Sequence, residues 1–367
     1  MLLNKIKSLN YLIIFLFVLL SFIGAAGLYS AADGSYNPWS SKHLIRLFIF
    51  LLMAIMLSLI NLRLIYKHAY SIFILCLLLL FSVELIGEFG KGASRWIRIF
   101  GFSIQPSEII KIGIIISLAK YYNDIRFDNL KRISYILIPL TIIFLPFLLT
   151  IIQPDLGTAI SIFLLGVIIL FSVGVRLWKF ILGLFACLVS LPVLWNFIKP
   201  YQRERVISFL NPESDPLGSG YQLIQSKIAL GSGSLTGKGF LKGTQSYLEY
   251  LPEKQTDFIF TLIGEEFGFI GSIFIISLFF IIISISFYIS IKSNNLFGRI
   301  LAIGIATNMF IYVVFNISMV TGLMPVVGIP LPLISYGGTV MLSSFISLGI
   351  LLNIDLNYRI KKISKNA

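Results

Sequence analysis

The chain has 367 residues, of which 57% are hydrophobic and 12% charged, with a formal net charge of +13 and a mean hydropathy of +0.94. So little polar side chain cannot cover a water-soluble globule of this size, which excludes that class and leaves a polytopic membrane protein. The basic excess does not point to nucleic acid, because its placement follows membrane orientation.

The Ile/Leu/Phe runs are continuous and lack two-residue alternation, so an all-α bundle is expected and a barrel is not. A hydrocarbon core of about 30 Å takes roughly 20 residues per helix. Ten such windows follow in chain order: 11–29, 43–61, 69–86, 107–122, 133–152, 156–174, 178–196, 264–289, 298–321 and 332–353. Lys5 and Lys7 precede the first and "SAADG" follows it, but its apolar run exceeds a signal-peptide core of about 7–15 residues, so a retained span is expected. With the N-terminus inside, the cytoplasmic segments carry Lys5, Lys7, Arg63, Lys67, Arg126, Lys131, Arg132, Arg176, Lys179, Lys292 and Arg359. The opposite short loops carry Lys42, Lys91, Arg95 and Arg98. This asymmetry puts both termini in the cytoplasm and one large extracytoplasmic loop at about 197–263. A single integral membrane domain over 1–367 is expected. Cys76 and Cys187 lie in mid-window and read as small buried apolar groups, while His43 and His68 show no metal-ligand spacing.

Charges at the membrane edge are where function is sought, since ionisable groups in lipid are costly unless they face a cavity or a partner. In "GASRWIRIFGFSIQPSEIIKIG" the loop ends at Pro106, and Ser107 is the expected helix cap. Glu108 follows in the first turn, and Lys111, three residues on, shares its face. Arg95 and Trp96 form an amphipathic stretch that suits an interface anchor first and a phosphate ligand second. "TIIQPDLGTAI" repeats the design: Asp155 reads as a helix cap, yet topology sets it level with Glu108 and Asp257, which suggests a shared cavity.

The long loop contains "YQLIQSKIAL", with the look of an amphipathic helix, and a glycine-rich stretch, "GSGSLTGKGFLKG". Its spacing fits no nucleotide motif. Backbone N–H groups with Lys238 or Lys242 could meet a pyrophosphate, although a flexible surface turn is the commoner reading. "LPEKQTDFIF" then carries Asp257 into an apolar segment, either as a helix cap or as a chemical group. "GIPLPLISYGG", with Pro330, Pro332, Ser335 and Tyr336, reads as broken backbone walling the same pocket.

The stretches "GASRWIRIFGFSIQPSEIIK", "QPDLGTA", "NPESDPLGSGYQLIQSKIALGSGSLTGKG", "LPEKQTDFIFTLIGEEFGFIG" and "GIPLPLISYGG" together resemble the SEDS family (shape, elongation, division and sporulation) of bacterial cell-wall polymerases. The resemblance covers essentially the whole chain in the same motif order, and the segments around Asp257 and Tyr336 look closer to the elongation branch than to the division branch. It implies a peptidoglycan glycosyltransferase that polymerises lipid II, an undecaprenyl-linked substrate, at the outer face of the bacterial inner membrane. A class B penicillin-binding protein is the implied transpeptidase partner. The family's catalytic aspartate falls on Asp257, and its cavity residues on Arg95, Glu108, Lys111 and Asp155.

In that reading Asp257 removes the proton of an attacking sugar hydroxyl. Arg95 and Lys111 offset the charge of the departing diphosphate, and Glu108 holds Lys111. The pattern names no cofactor; a divalent cation held by a carboxylate would suit the same task. A lipid flippase is the rival, but no inverted repeat is visible and the polar groups gather at one face instead of the midplane. A scaffold would leave the acids unexplained.

Overall fold

The computed structural model describes residues 2–90, 93–99, 102–125, 134–197, 200–215, 218–247, 250–251 and 253–366. Lys91, Arg126, Lys131, Arg132 and the side chain of Cys187, noted above, lie outside the described residues. The chain runs α1 (Leu2–Lys7), α2 (Tyr11–Ala31), α3 (Ser40–Leu59), α4 (Leu62–Lys67) and α5 (Ala69–Ile86). Strands β1 (Glu88–Gly90), β2 (Ala93–Ile99) and β3 (Phe102–Ile104) come next. They are followed by α6 (Pro106–Asp124), α7 (Ser134–Ile152), α8 (Leu156–Ser172), α9 (Leu177–Phe197), α10 (Pro200–Leu210), α11 (Ser219–Ser232), α12 (Thr244–Tyr247), α13 (Ile259–Lys292), α14 (Leu296–Thr321) and α15 (Gly338–Asn366).

Each of the ten apolar windows falls on a helix, and among the described residues seven helices are long and apolar enough to cross a membrane: α2, α3, α5, α7, α13, α14 and α15. The molecule is a polytopic helical membrane protein. Its outer face carries Phe48, Leu52, Leu75, Leu78, Ile270 and Phe280, all exposed, as suits a surface solvated by acyl chains. α6 holds Glu108 and Lys111 and is buried along most of its length, so its charges face protein instead of lipid. Small residues let helices close in around it. A Cβ on Gly304 of α14 would stand 2.6 Å from Ile115 of α6, and one on Gly349 of α15 would stand 2.8 Å from the Ala54 carbonyl of α3.

Two segments differ from the sequence reading. The stretch before α6 forms a three-stranded antiparallel sheet in the order β1-β2-β3. Along β2 the burial alternates, with Ile97 buried and Trp96 and Arg98 exposed, so its amphipathicity has the two-residue period of a strand. The glycine-rich stretch is not a loose surface turn. α13 is broken at Gly268 (φ 65°, ψ −160°), a conformation open almost only to glycine. The break removes the helical bonds expected between residues 265 and 269 and between 266 and 270. The glycine loop supplies all four missing partners. The N–H groups of Lys238 and Gly239 donate to the carbonyls of Glu265 (3.0 Å) and Glu266 (2.9 Å), and those of Phe269 and Ile270 donate to Ser234 (2.9 Å) and Leu235 (3.1 Å). A freed backbone group in this setting must find a partner.

Gly237 sits at φ +81°, and a Cβ there would strike the Glu266 carbonyl. Gly237→Ala should therefore destabilise by about 2 kcal/mol or more, read as a lower melting temperature in detergent. Gly231→Ala, where a Cβ meets nothing within 4 Å, should leave it nearly unchanged.

Candidate active site

α6 begins at Pro106, which occupies the first helical position, and Gln105 is its N-cap. The expected cap, Ser107, is thus displaced: proline at N1 has no N–H to satisfy and a φ suited to the helix. Gln105 ties two other elements to this start. Its N–H donates to the Thr339 hydroxyl of α15 (3.0 Å) and its side-chain amide to Asp155 Oδ2 (2.9 Å). Asp155 is the N-cap of α8, accepting the Thr158 N–H (3.4 Å) and the Thr158 hydroxyl (2.9 Å). Both readings of Asp155 hold together, since it caps a helix and joins the α6 start. The Arg95 guanidinium, on β2, donates to the Pro154 carbonyl next to it.

One turn into α6, Glu108 and Lys111 form an ion pair of 2.9 Å with side chains only 3% and 1% exposed. Lys111 also donates to the Tyr312 hydroxyl of α14 and lies 4.1 Å from that ring's centroid. Such a pair is held in a dry site only when its remaining donors are met; Tyr312 meets one of them. Glu108 Oε2 has no hydrogen-bond partner among the described residues.

Asp257 lies in the turn before α13. The helix's N-cap is Phe258, with no side-chain cap, so the capping reading of Asp257 is not what the geometry supports. Its backbone is fixed from α14, where the Asn316 amide donates to the carbonyls of Asp257 (2.9 Å) and Ile329 (2.8 Å). Tyr312 and Asn316 are about one turn, ~6 Å, apart along α14, so one helix braces both Lys111 and Asp257. The Asp257 carboxylate lies against Gly328 (φ +73°), where an added Cβ would stand 3.2 Å from Oδ2. On the other side of this segment, a Cβ on Gly157 of α8 would stand 2.8 Å from the Val327 carbonyl. The segment between α14 and α15 therefore lies between Asp257 and the start of α8.

Ser335 and Tyr336 belong to that segment and hold the Asp257 turn. The Ser335 hydroxyl donates to the Thr256 carbonyl (2.6 Å) and accepts the Leu331 N–H (2.8 Å), while the Tyr336 N–H donates to the Gln255 carbonyl (2.9 Å). Lys238 stands elsewhere. It pairs with Glu265 at 2.7 Å and donates to the Thr244 hydroxyl. Glu265 and Glu266 are buried around the Gly268 break, where Glu266 also accepts from the Ser30 hydroxyl and the Leu241 N–H. That cluster braces the glycine loop and is not part of the Asp257 group.

Sequence reasoning missed Gln105, Tyr312, Asn316 and Arg46. Arg46 is on α3, with its guanidinium carbon 4.9 Å from the Tyr336 ring centroid, and it has no ion-pair partner among the described residues. The signal was present, since Arg46 and Asn316 each interrupt an apolar window. Among the described residues the carboxylates do not assemble a ligand set for a divalent cation. No group of three or more His, Cys, Asp or Glu able to hold a metal occurs among the described residues, Asp155 is held by Thr158 and Gln105, and Glu108 by Lys111.

A helical bundle with a buried ion pair, a capped carboxylate and a second carboxylate braced at one end defines a polytopic membrane protein with a polar site built for chemistry or transport. The FTSW_RODA_SPOVE family of cell cycle proteins matches residues 6–360, and the chain belongs to this family, the SEDS proteins. It is similar to the peptidoglycan glycosyltransferase MrdB of Escherichia coli K12, 44% identical over 299 residues, or 80% of this chain and 79% of that one. It is 38% identical over 378 residues to the probable peptidoglycan glycosyltransferase FtsW of Trichlorobacter lovleyi, covering 98% of this chain and 96% of that one. Among solved structures, a chain of a peptidoglycan synthase complex that coordinates polymerization and crosslinking superposes with a TM-score of 0.82 at 28% identity, over 95% of this chain and 98% of that one. The rod shape determining protein RodA of Thermus thermophilus superposes with a TM-score of 0.71 at 25% identity, over 96% and 97%.

Proposed function

We propose that this chain is a peptidoglycan glycosyltransferase that polymerises lipid II at the outer face of the bacterial cytoplasmic membrane, with Asp257 as its general base. The observation that carries the assignment of the base is the bracing of Asp257: α14 holds its backbone while its carboxylate stands against Gly328. Relatives with glycosyltransferase names match across most of the chain. Both termini are cytoplasmic in this reading, and residues 197–263 form the extracytoplasmic loop of a single membrane domain.

The acceptor sugar hydroxyl attacks the anomeric carbon, its proton passes to the Asp257 carboxylate, and the bond from that carbon to the lipid diphosphate oxygen breaks. A single displacement of this kind inverts the anomeric centre. The leaving diphosphate gathers charge that fixed cations stabilise best in a water-poor site. Arg95 and Lys111 are joined in this role by Arg46. Lys111 is fully enclosed by Glu108 and Tyr312 and acts by field, whereas Arg46 is half-buried with no acid partner among the described residues. The structural neighbour in a complex that couples polymerization to crosslinking supports a class B penicillin-binding protein as partner.

Purified protein in vesicles containing lipid II should yield glycan polymer. Lipid II translocation without polymer would replace this reading with the flippase. Arg46→Ala should lower turnover by about 10²-fold, the scale of one lost charge-stabilising donor, with the melting temperature unchanged and partial recovery in Arg46→Lys. Wild-type turnover in Arg46→Ala would remove it from the site.

A further inference from the structure

α13 starts beside Asp257 and runs for 34 residues to Lys292. At that opposite end of the bundle is a cleft of about 460 Å³, within the usual size of small-molecule sites. It is walled by the turn before α4, the end of α6, the turn between α13 and α14, and α15.

Its hydrogen-bonding character is one-sided. Asn61 and Asn295 in the wall are the N-caps of α4 and α14, their side-chain oxygens accepting the N–H groups of Arg63 (3.0 Å) and Gly298 (3.0 Å). A capping amide must turn its oxygen to the backbone, because its NH₂ cannot accept, so the NH₂ points elsewhere. Neither NH₂ has a partner among the described residues, nor does the side chain of Asn294. The oxygen of Asn123 is likewise taken, by the Phe297 N–H (3.1 Å), while its NH₂ donates to Asp124 (3.3 Å). Arg63 is the cation of the wall, with no carboxylate in ion-pair reach among the described residues. The neighbouring carboxylate of Asp124 is engaged by the Tyr66 hydroxyl as well as by Asn123. Asn357 is the exception: it donates to Asn353 (2.9 and 2.8 Å) and keeps its oxygen as an acceptor.

We propose that this cleft binds the glycerol-phosphate headgroup of an anionic phospholipid. Amide donors and a guanidinium suit the oxygens and charge of a phosphodiester, and the Asn357 oxygen suits a glycerol hydroxyl. The residues that wall the cleft include no carboxylate, so the wall itself offers no ion-pair partner to the ammonium of a zwitterionic headgroup. The side chains beside the cleft favour a lipid over a free phosphate ester: Ile60, Leu64 and Ile291 are 39%, 56% and 75% exposed and offer acyl chains an apolar path away from it.

Delipidated full-length protein in detergent, titrated with phosphatidylglycerol and followed by native mass spectrometry, should hold the lipid as a saturable adduct. Arg63→Glu should weaken it about tenfold, the loss of one charge-assisted hydrogen bond, and Asn294→Ala by a smaller factor. Asp257→Asn should leave it unchanged. Arg63 and Asn294 are exposed, and their side chains brace no other element, so these variants should melt as wild type does. Wild-type lipid occupancy in Arg63→Glu would overturn the site, and equal occupancy by phosphatidylcholine would overturn its selectivity. Binding of soluble glycerol 3-phosphate as tight as that of the lipid would overturn the lipid as its occupant.

Discussion

Asp257→Ala is expected to abolish glycan polymer from purified protein and lipid II while the variant still folds and still binds the lipid. The turn is held through main-chain groups. Asn316 grips the Asp257 carbonyl, Ser335 the Thr256 carbonyl, and Tyr336 the Gln255 carbonyl. Removing the carboxylate therefore leaves the turn's anchors intact. A positioned base contributes about 10²–10⁴-fold, and the substitution should lower turnover at least that far. Asp257→Asn keeps the shape and removes the basicity, and should be equally inactive. Full polymer from either variant would end the assignment of Asp257 as base.

The second large effect concerns Glu108 and Lys111. With both side chains almost wholly enclosed, Glu108→Ala leaves the Lys111 ammonium with the Tyr312 hydroxyl and the charge of Asp155, and Lys111→Ala leaves a carboxylate with no ion-pair partner among the described residues. Breaking a buried pair on one side costs about 3–5 kcal/mol, so each single variant should melt well below wild type and lose polymerase activity. The double variant should be no worse than the poorer single one, because the stranded charge is gone. Losses that simply add would show that the two side chains act independently.

The helical spans were legible because long apolar runs leave the chain few other solutions in a bilayer. Their ends were less so. α13 begins at Ile259, ahead of the window at 264, because Glu265 and Glu266 hide a helix start from any hydropathy average, although both are buried with partners. α15 waits until Gly338 because Pro330 and Pro332 keep the preceding backbone out of a helix. The sheet at 88–104 is too short for a hydropathy window to register. Within the site, Asp155 was legible as a cap, since Asp after Pro leaves little else. Asn316 and Tyr312 were not, because what they brace lies far along the chain. The glycine stretch read as a turn for the same reason: its hydrogen-bond partners belong to a helix some 30 residues later, and composition carries no record of that pairing.

The break at Gly268 also bears on how the protein fits its bilayer. As one straight rod, α13 would be about 51 Å long at 1.5 Å per residue, far beyond a core of about 30 Å. With the break, only the part after Gly268, about 36 Å, has to match the acyl region, and a modest tilt absorbs the remainder. A thicker or thinner membrane would then be met by the tilt of that part of α13, beyond the break that the glycine loop holds.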